Sequence, residues 1–181
     1  MQEELQTMLK DCHLCPRNCG VNRLAGQKGF CGVDAGIMVA RAALHMWEEP
    51  CISGENGSGA VFFTGCTLRC VFCQNHEIAA GKRGQRIDES HLAEIFLKLQ
   101  QQKANNINLV TPTQYVLPII AAVKKAKAQG LKIPVVYNTS GYERVETLKK
   151  LEGIVDVYLP DFKYTDTTYA KRYSNAPDYF D

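Results

Sequence analysis

The sequence predicts an α/β fold, a parallel sheet flanked by helices, preceded by a cysteine-rich segment held together by metal. Three observations predict it. From residue 60 onward, apolar runs of strand length alternate with segments of helical period. Polar residues follow each apolar run, where parallel sheets place their chemistry. All eight cysteines lie before residue 74.

The elements follow in order. Residues 1–50 are rich in cysteine and glycine with weak periodicity, and a unit that small needs a staple such as a metal. Ser53-Gly54-Glu55-Asn56-Gly57-Ser58-Gly59 is a turn-rich joint. The expected division is therefore a cysteine-rich amino-terminal segment, 1–50, and a core, 51–181. Ala60 to Thr64 is a continuous apolar run of the kind buried parallel strands use. Leu92, Ile95, Phe96 and Leu99 form one apolar helix face, with Asp88 or Ser90 as its cap. Ile107 to Val110 is the second strand. A helix runs from about Pro118 to Gln129, stopped by Gly130. Ile133 to Tyr137 is the third strand, Arg144 to Glu152 a helix ended by Gly153, Val155 to Leu159 the fourth strand, and Thr165 to Tyr173 a last helix.

Composition narrows the function classes. The chain has 181 residues, 45% hydrophobic and 22% charged, as ordinary globular proteins do. A net charge of +2 argues against nucleic acid or an anionic membrane as the main partner. No apolar run approaches the roughly 18 to 20 residues of a membrane helix. Met1 to Lys10 is polar, with Glu3 and Glu4, and has no signal core, so the expected location is the cytoplasm. In that reducing compartment eight cysteines point to metal or redox chemistry rather than disulfides.

Cys66, Cys70 and Cys73 have the spacing C-x3-C-x2-C directly after the first strand. Three thiolates from one loop hold three irons of a cubic cluster and leave the fourth iron open for a ligand. A structural zinc site with His76 as fourth ligand is the competing reading. Cys12, Cys15, Cys19 and Cys31 form a second set, whose four thiolates fit zinc or an auxiliary iron–sulfur cluster equally well. Arg17, Arg23 and Lys28 lie around this set as solvating charges. Cys51 is read as a small buried apolar group, Trp47 beside Met46 as core, and the four histidines as packing or surface residues.

The three-cysteine loop, with Phe72 just before its last cysteine, resembles the radical S-adenosylmethionine (SAM) signature. Cys12-His13-Leu14-Cys15-Pro16-Arg17-Asn18-Cys19-Gly20-Val21-Asn22-Arg23, Glu48-Glu49-Pro50-Cys51-Ile52-Ser53-Gly54 and Cys73-Gln74-Asn75 are most similar to uncharacterised homologues of pyruvate formate-lyase activating enzyme. The resemblance implies a partial (β/α) barrel of the radical SAM type. It also implies a [4Fe–4S] cluster that chelates SAM and cleaves it reductively to methionine and a 5′-deoxyadenosyl radical, which abstracts hydrogen from a substrate. An electron donor such as flavodoxin or ferredoxin, and a protein substrate for a glycyl-radical activase, are the implied partners. The family's Gly-Gly-Glu type segment is replaced here by Thr111-Pro112-Thr113, whose hydroxyls and carbonyls can still accept from the SAM ammonium. Asn138 and Asp161-Phe162-Lys163 resemble the family's polar segments after the third and fourth strands. They imply cation ligation by Asn138 and Asp161 and pairing of Lys163 with the SAM carboxylate. Gln74 and Asn75 flank the cluster and can hydrogen-bond its sulfurs, or start a helix. The family barrel has six strand–helix units and four are counted here, which predicts a core truncated at Asp181. The alternative function is a non-catalytic zinc or iron–sulfur module for electron transfer or partner docking.

Overall fold

The computed structural model describes residues 2–180. Met1, Asp181 and the side chains at positions 2–5, including Glu3 and Glu4, lie outside the described residues. In chain order the elements are α1 (Gln2–Lys10), β1 (Ile37–His45), α2 (Pro50–Ser53), β2 (Ser58–Phe63), α3 (His76–Ala79), β3 (Gln85–Ile87), α4 (Glu89–Gln101), β4 (Ile107–Val110), α5 (Val116–Ala128), β5 (Val135–Thr139), α6 (Val145–Lys149), β6 (Val157–Pro160) and α7 (Thr167–Ser174). No helix among them is long and apolar enough to cross a membrane.

One sheet carries the strands in the order β3-β1-β2-β4-β5-β6. β2, β4, β5 and β6 are mutually parallel, the four strands expected from the apolar runs. The count of four needs correction: β1 extends the sheet antiparallel to β2, and β3 pairs antiparallel with β1 at the edge. β1 escapes a reading by pattern because Ile-Met-Val-Ala-Arg-Ala-Ala-Leu-His lacks alternation and is rich in alanine, a poor strand former. β3 has only three residues.

The alternating pleat divides the sheet into two faces. Val61, Phe63, Ile107, Leu109, Val135 and Tyr137 face α4 and α5 and build the main core with Leu92, Phe96, Leu99, Ile119 and Val123. Asp88 caps α4, its Oδ1 accepting the His91 N–H at 2.8 Å, while α5 begins two residues before the expected Pro118. The opposite face carries Arg41, His45, Phe62, Val110 and Asn138, which line a cavity.

The amino-terminal segment is built into this body. Arg23 is 2% exposed and donates to the carbonyls of Gln114 and Asp34 at 2.8 and 2.6 Å. Its expected solvating role is therefore corrected: the guanidinium is an internal tie. Cys51, expected to be buried, is exposed, and Trp47, expected in the core, is 90% exposed. Trp47 follows β1 on a loop that leaves the sheet, so no apolar face is available to cover it.

Candidate metal and cofactor site

The chain leaves β2 through Gly65, whose φ of +85° suits glycine. A Cβ there would stand 2.6 Å from the Cys31 carbonyl oxygen, so only glycine lets the turn pass this close. The cysteine loop follows. Cys66 Sγ accepts the N–H groups of Leu68 and Arg69, both at 3.4 Å, and Cys73 N–H donates to the Cys70 carbonyl at 3.1 Å. Burial pushes the Cys66 thiol up, partly countered by those two N–H groups. Leu68 is fully buried in a second apolar cluster with Tyr142, Tyr164 and Tyr179, against which Cys66 and Cys70 also pack.

Arg17 fixes the loop from outside. Its Nε donates to Thr67 O at 2.8 Å, Nη2 to Ser174 O at 2.7 Å and to Leu68 O at 3.4 Å, and Nη1 to Asn175 O. The guanidinium lies 3.7 Å from the Phe30 ring centroid. Arg17 thus joins three segments rather than solvating the amino-terminal cysteines as expected.

A cavity of about 740 Å³ brings Cys66, Cys70 and Cys73 together with Thr111, Asn138, Asp161 and Lys163. These polar residues stand at or just after the carboxyl ends of β4, β5 and β6. Thr111 holds φ at +56°, a left-handed conformation costly for a β-branched residue, in the segment where the resembled family carries glycines. Lys163 Nζ lies 2.6 Å from Asp161 Oδ2, so the two form an ion pair on the cavity rim. Gln74 and Asn75 also line the cavity, and Asn75 sits at the N-cap position of α3 without a side-chain cap bond. Thr113 stands apart. It is 1% exposed and its Oγ1 donates to Glu143 Oε1 at 2.5 Å, behind the cavity wall. Glu143 and the cavity-lining Arg41 were not singled out from the sequence; His45 was read as packing or surface and Trp47 as core, while Glu48 and Glu49 carried only the resemblance of their stretch, and the latter five line the cavity.

The amino-terminal cysteines surround a smaller space. Cys12, Cys15, Cys19 and Cys31 line a cavity of about 20 Å³ together with Thr67 of the cysteine loop. Burial pushes the Cys15 thiol up to about 12, and the neighbouring Cys31, Cys12 and Cys19 push it further the same way. Among the described residues no three His, Cys, Asp or Glu side chains converge on a point that would hold a single metal ion.

The model of the Radical SAM superfamily matches residues 60–180. An uncharacterized protein of Methanocaldococcus jannaschii, MJ0674, is 34% identical over 188 residues, covering 99% of this chain and 53% of that protein. The chain therefore spans about half the length of the curated relative it matches.

Proposed function

The chain belongs to the radical SAM superfamily, and from that premise we propose that Cys66, Cys70 and Cys73 hold a [4Fe–4S] cluster with which it cleaves SAM. The observation that carries this reading is the shared cavity: three thiols of one loop face the polar carboxyl ends of three parallel strands across about 740 Å³. The donor set fits a cube. Each thiolate ligates its own iron, so the three side chains need not converge on one point.

Held by Cys66, Cys70 and Cys73, a reduced cluster would supply the electron for reductive cleavage of SAM and hydrogen abstraction from a substrate. The protein's own residues do the rest. The Leu68 and Arg69 N–H groups at Cys66 Sγ draw charge from the sulfur and so tune the potential. Leu68 and the tyrosines behind it keep water from the back of the loop. Lys163, already charge-paired, would exchange Asp161 for the SAM carboxylate, freeing Asp161 to ligate a cation with Asn138, while Thr111 would accept from the SAM ammonium. Thr113 holds the wall through Glu143 instead of touching SAM.

A second metal centre, zinc or cluster, on Cys12, Cys15, Cys19 and Cys31 belongs to the same proposal, the zinc form requiring the four thiols to draw together onto one point. Its support is one buried space shared by four thiols. Action on a partner polypeptide in activase fashion, with a flavodoxin or ferredoxin as electron donor, is its finest form. That part rests on the resemblance of residues 12–23 and 48–54 alone.

Anaerobic reconstitution with iron and sulfide, reduction, and quantification of 5′-deoxyadenosine test the proposal. The expected outcome is SAM cleavage by the parent chain and none by Cys70→Ala, which keeps whatever metal the amino-terminal set binds. Zinc in both sites with no cleavage establishes the non-catalytic module instead.

A further inference from the structure

The Glu48–Gly54 stretch is distinctive in sequence yet takes no part in holding cluster or SAM. Because β1 runs antiparallel to β2, it carries this stretch to the end of the sheet remote from the cysteine loop. The stretch is anchored there. Asn106 Nδ2 donates to Ile52 O at 2.7 Å, and Asn105 Nδ2 donates to Ser53 O. The fixed turn presents Trp47, Glu48 and Glu49 to the large cavity.

Glu48 is short of donors. Its side chain is 12% exposed, and burial pushes its carboxyl up. His45 Nδ1 stands 3.6 Å from Oε1, but that nitrogen accepts the Trp47 N–H at 3.3 Å. A neutral His45 therefore carries its proton on Nε2 and gives Glu48 none. Asn108, one pleat deeper than Val110 on the cavity face, is fully buried; its amide reaches toward the Glu48 carboxylate and makes no other hydrogen bond. It lies close enough to Glu48 to lower its pKa against the burial. Beside them the Trp47 ring is open. A desolvated carboxylate next to an open indole attracts cations.

We propose that this end of the cavity is a subsite for a protonated amine or guanidinium of the substrate, with Glu48 as its ion-pair partner and Trp47 as the ring it lies against. Apart from His45, 3.6 Å from Glu48 Oε1, the basic side chains of the cavity stand elsewhere. Lys163 is paired with Asp161, and Arg41 is level with Phe62, four residues nearer the cysteine loop than His45. A substrate held this way points its uncharged body toward the cluster. The word substrate rests on the SAM-cleaving reading; the subsite itself does not.

The chain contains one tryptophan, so Trp47 emission reports on this subsite without cluster or SAM. The test is titration of the full chain with hexylammonium, with hexanol and hexanoate as matched probes. A saturable change in emission with hexylammonium alone is expected, and Glu48→Gln weakens it at least tenfold. Equal responses to all three probes, no saturable response, or unchanged affinity in the variant overturns the proposal. The three-probe comparison on the parent decides the matter even if the variant does not fold. Failure here leaves the 5′-deoxyadenosine assay standing, and failure of that assay leaves this titration standing.

Discussion

Glu143 lies buried where three hydroxyls meet it: Thr113 and Thr139 donate to Oε1, and Tyr137 OH donates to Oε2 at 3.4 Å. Burial pushes its pKa from 4.5 to about 7, against the pull of those hydroxyls. The folded value exceeds the unfolded one, so the group's stabilising contribution is full below about 4.5 and is lost as pH rises through about 7. The loss is on the order of 3 kcal/mol. Glu143→Gln is expected to flatten the fall in stability between pH 5 and 8 and to be neutral or stabilising at pH 8, as read from urea midpoints at both pH values. A variant with the parental pH slope would refute this account. The residue also shows where a sequence reading stops. Cysteine spacing is local, so Cys66, Cys70 and Cys73 can be proposed as cluster ligands without a structure. Thr113 was read as a SAM contact because its true partner lies thirty residues on, across an adjacency of β4 and β5 that no local pattern encodes.

Among the elements, the passage from β2 into the cysteine loop is tightly constrained. An alanine Cβ at Gly65 would meet Cys31 O at 2.6 Å and Val33 Cγ1 at 2.9 Å, besides holding a positive φ. Gly65→Ala is expected to cost about 2 kcal/mol or more, measured by chemical denaturation. It is also expected to lower the iron bound per chain after reconstitution, because the loop must shift away from Cys31. Full iron content at parental stability would contradict this. The parallel strands were legible because each reads as a short, nearly continuous apolar run, including the exposed edge strand β6. The antiparallel β1 was not. One of its faces lines a wet cavity, so it carries Arg41 and His45 where a core strand carries apolar residues.

At the scale of the molecule, Arg17 ties the amino-terminal segment, the cysteine loop and the end of α7 to one guanidinium. Lysine cannot reproduce that fork. Arg17→Lys is expected to cost about 2–3 kcal/mol, with three carbonyls losing a charged donor. It is also expected to accelerate amide exchange at Val71, whose N–H donates to Tyr173 O across the same junction. Unchanged protection at Val71 would show that the loop is held without Arg17. Residues 1–50 were expected to stand apart from 51–181, an organisation that remains a proposal; β1 nonetheless pairs with β2 along its length.

The Arg17 junction also dictates a schedule for biosynthesis. Its partners include residues 174 and 175, so the cysteine loop cannot be locked until more than a hundred further residues have left the ribosome after Cys66. At roughly 5–20 residues per second that is a delay of several seconds or more, during which the nascent thiols stay accessible to iron delivery, and equally to oxidants.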